Sequence, residues 1–200
     1  LPIGQEIEVS LNLDHIAYRV PKGHKIRIAL SNAYWPLLWP MPDASTLQIS
    51  QGEVQLPISP HGADDERYFP PPDSEEPWDI RKIRASDNQR QITTDMKTGI
   101  TTLEIIDDFG AVEDQQHRMV SGSVAREWWS IHPDDPLSAR GKTHWTEERS
   151  RGDWITRTEA FAEMTSDAEN FYLTARMEAY ENDTLIFEKD FEETIKRKHH

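Results

Sequence analysis

The chain has 200 residues, 36% of them hydrophobic, and a formal net charge of −14. This acidic balance argues against a nucleic-acid partner, which requires clustered Lys and Arg, and against an anionic membrane surface. The apolar run at residues 35–39 is far shorter than the ~20 residues that cross a bilayer. There is no cysteine, which excludes disulfides and thiol chemistry and leads us to expect a cytoplasmic location.

The two ends of the chain carry separate signals. The sequence begins LPI, without Met and without a signal segment, so we expect the start to lie inside a larger protein. We interpret His199 and His200 as a tag remnant and leave them out of the site predictions.

Apolar and polar residues alternate in the first 58 residues, and this period of two predicts β-strands. Strands are predicted at residues 3–13 and 26–30, on either side of a turn at 21–23. Two shorter strands are predicted at 47–49 and 54–56, around a turn at 51–52.

The segment at residues 34–40 reads YWPLLWP and follows directly after a predicted strand. Tyr34, Trp35 and Trp39 are the candidate structural or interface residues. They can cap the core, with the prolines preventing edge pairing, or anchor a second domain, or line a ligand groove. We rank the core cap first, the domain interface second and the groove third.

Residues 59–78 are interpreted as a proline-rich acidic connector, because three successive prolines favour an extended chain and exclude a helix. Its acidic clusters at 64–66 and 73–76 lack the spacing of a calcium loop. A solvated run of charges is the favoured interpretation.

The strand pattern returns in residues 79–198. Strands are predicted at 90–94, 99–106, 120–131, 138–150, 154–164, 171–179 and 185–191, with turns at 95–99, 151–153 and 182–183. Helix is the alternative for residues 160–179, because Ala, Glu and Met form helices well. The tripeptide RGD at 151–153 matches an integrin-recognition motif in its letters, but a tight hairpin turn is favoured.

No catalytic motif emerges from the sequence. There is neither a Gly-x-Ser-x-Gly elbow nor a glycine-rich phosphate loop, and the histidines form no metal-binding spacing. The one weak polar cluster contains His132, Asp134 and Asp135, in which His132 and Asp134 resemble a base and its orienter. Because prolines flank the two aspartates, a turn is favoured. We therefore predict no catalytic residue, no metal and no cofactor.

Several stretches resemble the C-terminal region of the CocE/NonD hydrolases, a region shared with X-prolyl dipeptidyl peptidases. The stretches are VPKGHKIRIALS at 20–31 with the following YWP and WP, SIHPDDPLSA at 130–139, RGDW at 151–154, AYE at 179–181, FE at 187–188 and ETI at 193–195. The resemblance covers most of the chain.

The resemblance implies an all-β fold, an antiparallel sandwich of the jelly-roll, galactose-binding-domain-like kind, with a β-meander in the second half. Residues 1–58 would be later jelly-roll strands, and residues 79–198 would pack with them as one unit. In that family an α/β-hydrolase domain with a Ser-His-Asp triad precedes the jelly roll. That domain and its dipeptidyl-peptidase or esterase activity would lie outside this chain, so no catalytic residue carries over.

These observations predict a non-catalytic domain that packs on a hydrolase domain and self-associates, most simply as a homodimer. One alternative is an autonomous carbohydrate- or peptide-binding module that uses Trp35 and Trp39 as a platform. A second is an independent enzyme that uses His132 and Asp134.

Overall fold

A computed structural model describes residues 4–59 and 68–198. The chain divides into two compact units, Leu1–Ser31 and Asn32–His200. In the first unit, a turn at residues 22–23 is closed by the amide of His24, which donates to the carbonyl of Pro21 at 3.1 Å. Gly23 has a φ of 89°, which explains why glycine occupies this position of the predicted turn.

The second unit contains one antiparallel sheet built from eight strands in the described residues. The strands are β1 (Ile80–Arg84), β2 (Asp87–Thr94), β3 (Thr101–Asp114), β4 (Met119–His132), β5 (Asp135–Arg151), β6 (Trp154–Ser166), β7 (Asn170–Glu181) and β8 (Thr184–Lys196). Strands β3 to β8 follow one another in the sheet as a meander, and both β1 and β2 pair with β3. The predicted class, all-β and antiparallel with a meander in the second half, is confirmed.

The turns of the meander lie where turn chemistry predicts them. Asn182 between β7 and β8 has a φ of 52°, and Gly152 between β5 and β6 has a φ of 60°. Residues 151–153 therefore form the predicted hairpin, which pairs Arg151 with Trp154. The helical alternative for residues 160–179 is wrong, because strands β6 and β7 occupy this stretch.

The strands predicted within residues 3–56 are not formed in the part of the chain that the structure describes, residues 4–59. Alternation determines which side chains would share a face, but a strand also needs a partner for its main-chain N–H and C=O groups. The described segments here form no ladder, and Val9, Leu11 and Leu13 stay exposed.

The connector is described only at its two ends. Residues 60–67, which include the acidic cluster at 64–66, lie outside the described residues, as do Ile3 and the two final histidines. Tyr68, Phe69 and Trp78 are exposed.

The register gives the sheet one polar and one apolar face. Arg126, His144, Phe161 and Arg176 are paired in sequence across β4 to β7 and lie on the polar face. The neighbouring row on the other face holds Ala125, Trp145, Ala160 and Met177. Apolar residues that are buried in the described structure are Ala111, Ala125, Ala139 and Phe171.

Candidate functional site: the tryptophan clamp

The segment at residues 34–40, called the tryptophan clamp below, folds as a tight turn. The amide of Leu38 donates to the carbonyl of Tyr34 at 2.8 Å, and the Trp35–Pro36 peptide bond is cis. Prolines at both ends of the Trp35–Trp39 stretch remove main-chain donors, so the segment does not continue as a strand. The turn brings Trp35 and Trp39 together.

Both tryptophan rings of the clamp pack on the apolar face of the sheet. Their centroids are 5.2 Å apart in an edge-to-face arrangement. Trp35 meets Trp129 of β4 at 5.8 Å, and Trp39 meets Phe171 of β7 at 6.0 Å, both also edge to face. Such contacts contribute about 0.5–1.5 kcal/mol each beyond the area they bury.

Two polar contacts fix the clamp further. The indole Nε1 of Trp39 donates to the hydroxyl of Ser166 at 2.8 Å. The guanidinium of Arg197, which lies just after β8, donates to the carbonyl of Pro40 at 2.7 Å and to that of Asp167 at 2.9 Å. Its carbon lies 4.8 Å from the centre of the Phe171 ring, and burial lowers the pKa of Arg197 below its ordinary value.

A glycine makes room for the ring beneath the clamp. Gly141 of β5 pairs with Trp129, and a Cβ atom added to it would lie 2.6 Å from Cζ3 of that ring. Trp129 therefore lies over the backbone of β5, in a position that a larger residue at 141 would block.

The outer side of the clamp remains uncovered. Tyr34, Leu37 and Leu38 are exposed, whereas Trp35 and Trp39 are half-buried. The two tryptophan rings contact one another and the rings of Trp129 and Phe171, so the arrangement anchors this segment to the sheet.

The weak polar cluster lies in the β4–β5 hairpin, with a turn at residues 133–134. The amide of Asp134 donates to Nδ1 of His132 at 3.2 Å, and the amide of Leu137 donates to the carboxylate of Asp135 at 3.0 Å. The hydroxyl of Ser138 accepts from the amide of His132 and donates to the carbonyl of Asp135. These are turn contacts between side chains and backbone, which is the chemistry that the flanking prolines predict.

On the polar face, Glu159 of β6 is the centre of a buried network that the sequence analysis missed. It accepts from Nε2 of His144 at 2.7 Å and from the hydroxyl of Thr146 at 2.7 Å, and it pairs with Arg157. The ring of His144 stacks on Phe161 at 4.3 Å. Burial raises the pKa of Glu159, but the hydrogen bonds from Thr146, His144 and Arg157 outweigh it and lower the pKa below its ordinary value.

The signal for this network is the RGD hairpin. A tight turn at 151–153 fixes the register of β5 on β6, which pairs Thr146 with Glu159 and His144 with Phe161. Because residues pair one by one on either side of a tight turn, the position of this turn in the sequence predicts that the polar residues lie on neighbouring positions of one face.

A hollow of about 540 Å³ lies beside this network, over β5 to β8. Lys142, Glu163 and Arg176 are among the residues that line it. Arg176 pairs with Glu178 at 2.7 Å and with Glu188 at 2.5 Å, so its charge is already matched. Among residues 4–59 and 68–198, no group of three or more His, Asp or Glu side chains is placed to hold a metal ion. The same residues contain no helix long and apolar enough to cross a membrane.

Comparison with known proteins gives one family. The family model of the X-Pro dipeptidyl-peptidase C-terminal non-catalytic domain matches residues 1–93, which include the clamp and strand β1. No curated protein and no solved structure matches the chain. The later stretches that resemble the family, from residue 130 onward, lie outside this match. The predicted resemblance to the C-terminal region of the X-prolyl dipeptidyl peptidase family is thus confirmed over residues 1–93.

Proposed function

We propose that this chain is a non-catalytic domain of a CocE/NonD-type serine hydrolase and that it packs on an α/β-hydrolase domain, which carries the catalysis. The observation that carries the proposal is the match of residues 1–93 to a C-terminal domain that is non-catalytic. The parent enzyme would be a dipeptidyl peptidase or an acyl esterase, working in the cytoplasm.

The geometry of the two candidate sites supports a structural role. The rings of Trp35 and Trp39 contact Trp129 and Phe171 of the sheet edge to face. His132 accepts a hydrogen bond from a backbone amide of its own turn. A serine hydrolase needs a nucleophile activated by a base, and Ser138 bonds to backbone atoms instead.

The clamp offers a surface for packing on the hydrolase domain. Tyr34, Leu37 and Leu38 project from it, and their apolar side chains are exposed. Aromatic and aliphatic side chains held on a rigid turn suit an interface, because little conformational entropy is lost when they are buried.

Self-association is a second candidate role, and a homodimer is its simplest form. The specific observation in its favour is the apolar face of the sheet, on which Trp145, Phe187 and Phe191 are exposed. Large exposed apolar side chains that lie close together mark interaction sites.

The test of the proposed function is a hydrolysis assay of the purified chain with an activated ester and with an X-Pro dipeptide amide. We expect no turnover above that of buffer, because an acyl-enzyme cannot form without a nucleophile. Steady turnover that disappears in the His132→Ala variant would refute the proposal and favour an independent enzyme. Turnover that His132→Ala leaves unchanged would refute it as well and would direct the search to another nucleophile.

A further inference from the structure

Five large apolar side chains form a patch on the apolar face, away from the tryptophan clamp. The patch consists of Phe109, Trp145, Met177, Phe187 and Phe191, which are 57%, 39%, 40%, 47% and 46% exposed. It lies on strands beyond the stretch that matches the family model, which ends at residue 93.

The register holds these side chains together. Met177 pairs with Ala160 on one side and with Lys189 on the other, and Ala160 pairs with Trp145. The ring of Phe109 lies 6.4 Å from that of Trp145. On β8, Phe187 and Phe191 lie opposite Ala179 and Ala175.

The surface of the patch is therefore uneven in a way that allows it to pack against the same patch of a second copy. Its aromatic rings stand at two margins, Phe109 with Trp145 on one and the two phenylalanines of β8 on the other, while β6 and β7 between them present mainly alanine side chains around Met177. When two copies meet about a two-fold axis, the same patch is used on both. The raised margin of one copy can then occupy the lower strip of the other.

Three carboxylates beside the patch have partners within the chain. Asp107 pairs with Arg90 at 2.8 Å, and Glu147 pairs with Arg149 at 3.0 Å. The carboxylate of Glu127 accepts from Nε1 of Trp129 at 2.9 Å. Lys189 lies opposite Met177, between the two phenylalanines of β8, and has no carboxylate partner in the described structure. Its Nζ instead lies 4.6 Å from the centre of the Phe191 ring, a cation–π contact that is kept when a second copy covers the patch.

The area is close to what a dimer needs. With ~200 Å² for a large side chain, the exposed fractions leave roughly 450 Å² on each copy. Two copies would bury roughly 900 Å² from these side chains alone, and the alanines between them add to it. Standard-size interfaces begin near 1,200 Å² in total, and smaller ones belong to weak, transient complexes. The contact therefore corresponds to a weak dimer.

We propose that this patch is the docking surface for a second copy of the chain. The assignment rests on the self-association proposed above and adds to it the face that is used. The net charge of −14 opposes association, but at physiological salt it is screened beyond ~8 Å. The dimer should therefore weaken as salt is removed.

The test is sedimentation equilibrium of the 200-residue chain at micromolar concentration, with three variants. Met177→Lys and Trp145→Lys place a charge in the patch. Thr174→Lys is the matched control, since it adds the same charge to β7 on the opposite face, between Glu163 and Glu192. Circular dichroism and thermal unfolding of each variant show whether it is folded.

We expect the parent chain and Thr174→Lys to dimerise equally well and the two patch variants to dissociate at least about tenfold more readily. A single species at the monomer mass of 23.2 kDa for the parent chain would overturn both the dimer and the patch. A dimer that survives both patch variants in folded form would overturn the patch and leave self-association standing. Neither result affects the outcome of the hydrolysis assay. Failure of the dimer proposal can therefore be distinguished from failure of the non-catalytic assignment.

Discussion

At the scale of single residues, the structural role of several positions depends on a neighbour across the sheet. Gly141 is unremarkable in the sequence, but a Cβ there would meet the ring of Trp129. Glu159 reads as one acid among many in an acidic chain, and it becomes a buried, triply bonded carboxylate only through its register with Thr146. Neither role is visible without knowing which strands pair.

Glu159 gives the chain a stability that depends on pH. Its pKa in the folded protein lies below the ordinary value of 4.5. A carboxylate with a lowered folded pKa stabilises the fold above its unfolded pKa and loses that stabilisation as the pH falls through the folded pKa. We expect Glu159→Gln to lower the free energy of unfolding by about 1–3 kcal/mol at neutral pH, and by less as the solution becomes acidic.

Urea unfolding of the parent chain and Glu159→Gln, followed from neutral pH to about pH 3, measures this difference. Glu53→Gln, at an exposed position, is the matched control and should be close to neutral throughout. A Glu159→Gln variant as stable as the parent chain at neutral pH would show that the network contributes nothing.

At the scale of elements, the second half of the fold was readable from sequence and the first half was not. Turn residues at 95–99, 151–153 and 182–183 mark the ends of long alternating runs, and adjacent antiparallel strands then follow from short connections. Strand β1 was missed because its residues IRKIR alternate poorly. The alternation in residues 4–59 is as clear as in the second half. A strand forms only beside another strand that pairs with it, however, and a local pattern does not identify that neighbour.

Composition led us to rank the clamp as a structural candidate, but the contacts that it makes are long-range. Trp39 reaches Ser166, 127 positions away, and Pro40 reaches Arg197. No periodicity in the sequence links these residues. Such contacts form only when the strands on which the clamp packs have folded into the sheet.

Arg197 should stabilise the contact between the clamp and the end of β8. Arg197→Ala leaves the carbonyls of Pro40 and Asp167 without their charged donor, so we expect the free energy of unfolding to fall by about 2–3 kcal/mol. Arg197→Lys should recover only part of this lost stability, because an ammonium cannot make the forked contacts of a guanidinium.

Chemical denaturation followed by tryptophan fluorescence reports both the stability and the surroundings of the clamp. Lys196→Ala, one residue earlier and exposed, serves as the control and should behave like the parent chain. If Arg197→Ala and Lys196→Ala were equally stable, the tie between clamp and strand would be disproved.

At the scale of the whole molecule, a domain that resembles a non-catalytic module uses its aromatic residues to hold itself together. The clamp lies within the stretch that matches the family model, whereas Trp129 and Phe171 lie beyond it. The tryptophans therefore join the family-like part of the second unit to the meander. In the alternative, Trp35 and Trp39 would be a platform for a sugar or a peptide.

The most direct test is urea unfolding of Trp35→Ala and Trp39→Ala, paired with calorimetric or glycan-array binding by the parent chain. Full burial of a tryptophan corresponds to a loss of ~3–5 kcal/mol on truncation, and for these half-buried rings we predict about 2–4 kcal/mol for each variant. Tyr34→Ala, on the exposed side of the same turn, should cost little. If variants at Trp35 and Trp39 unfolded like the parent chain while sugar or peptide binding was lost, the two tryptophans would be a binding platform and not an anchor.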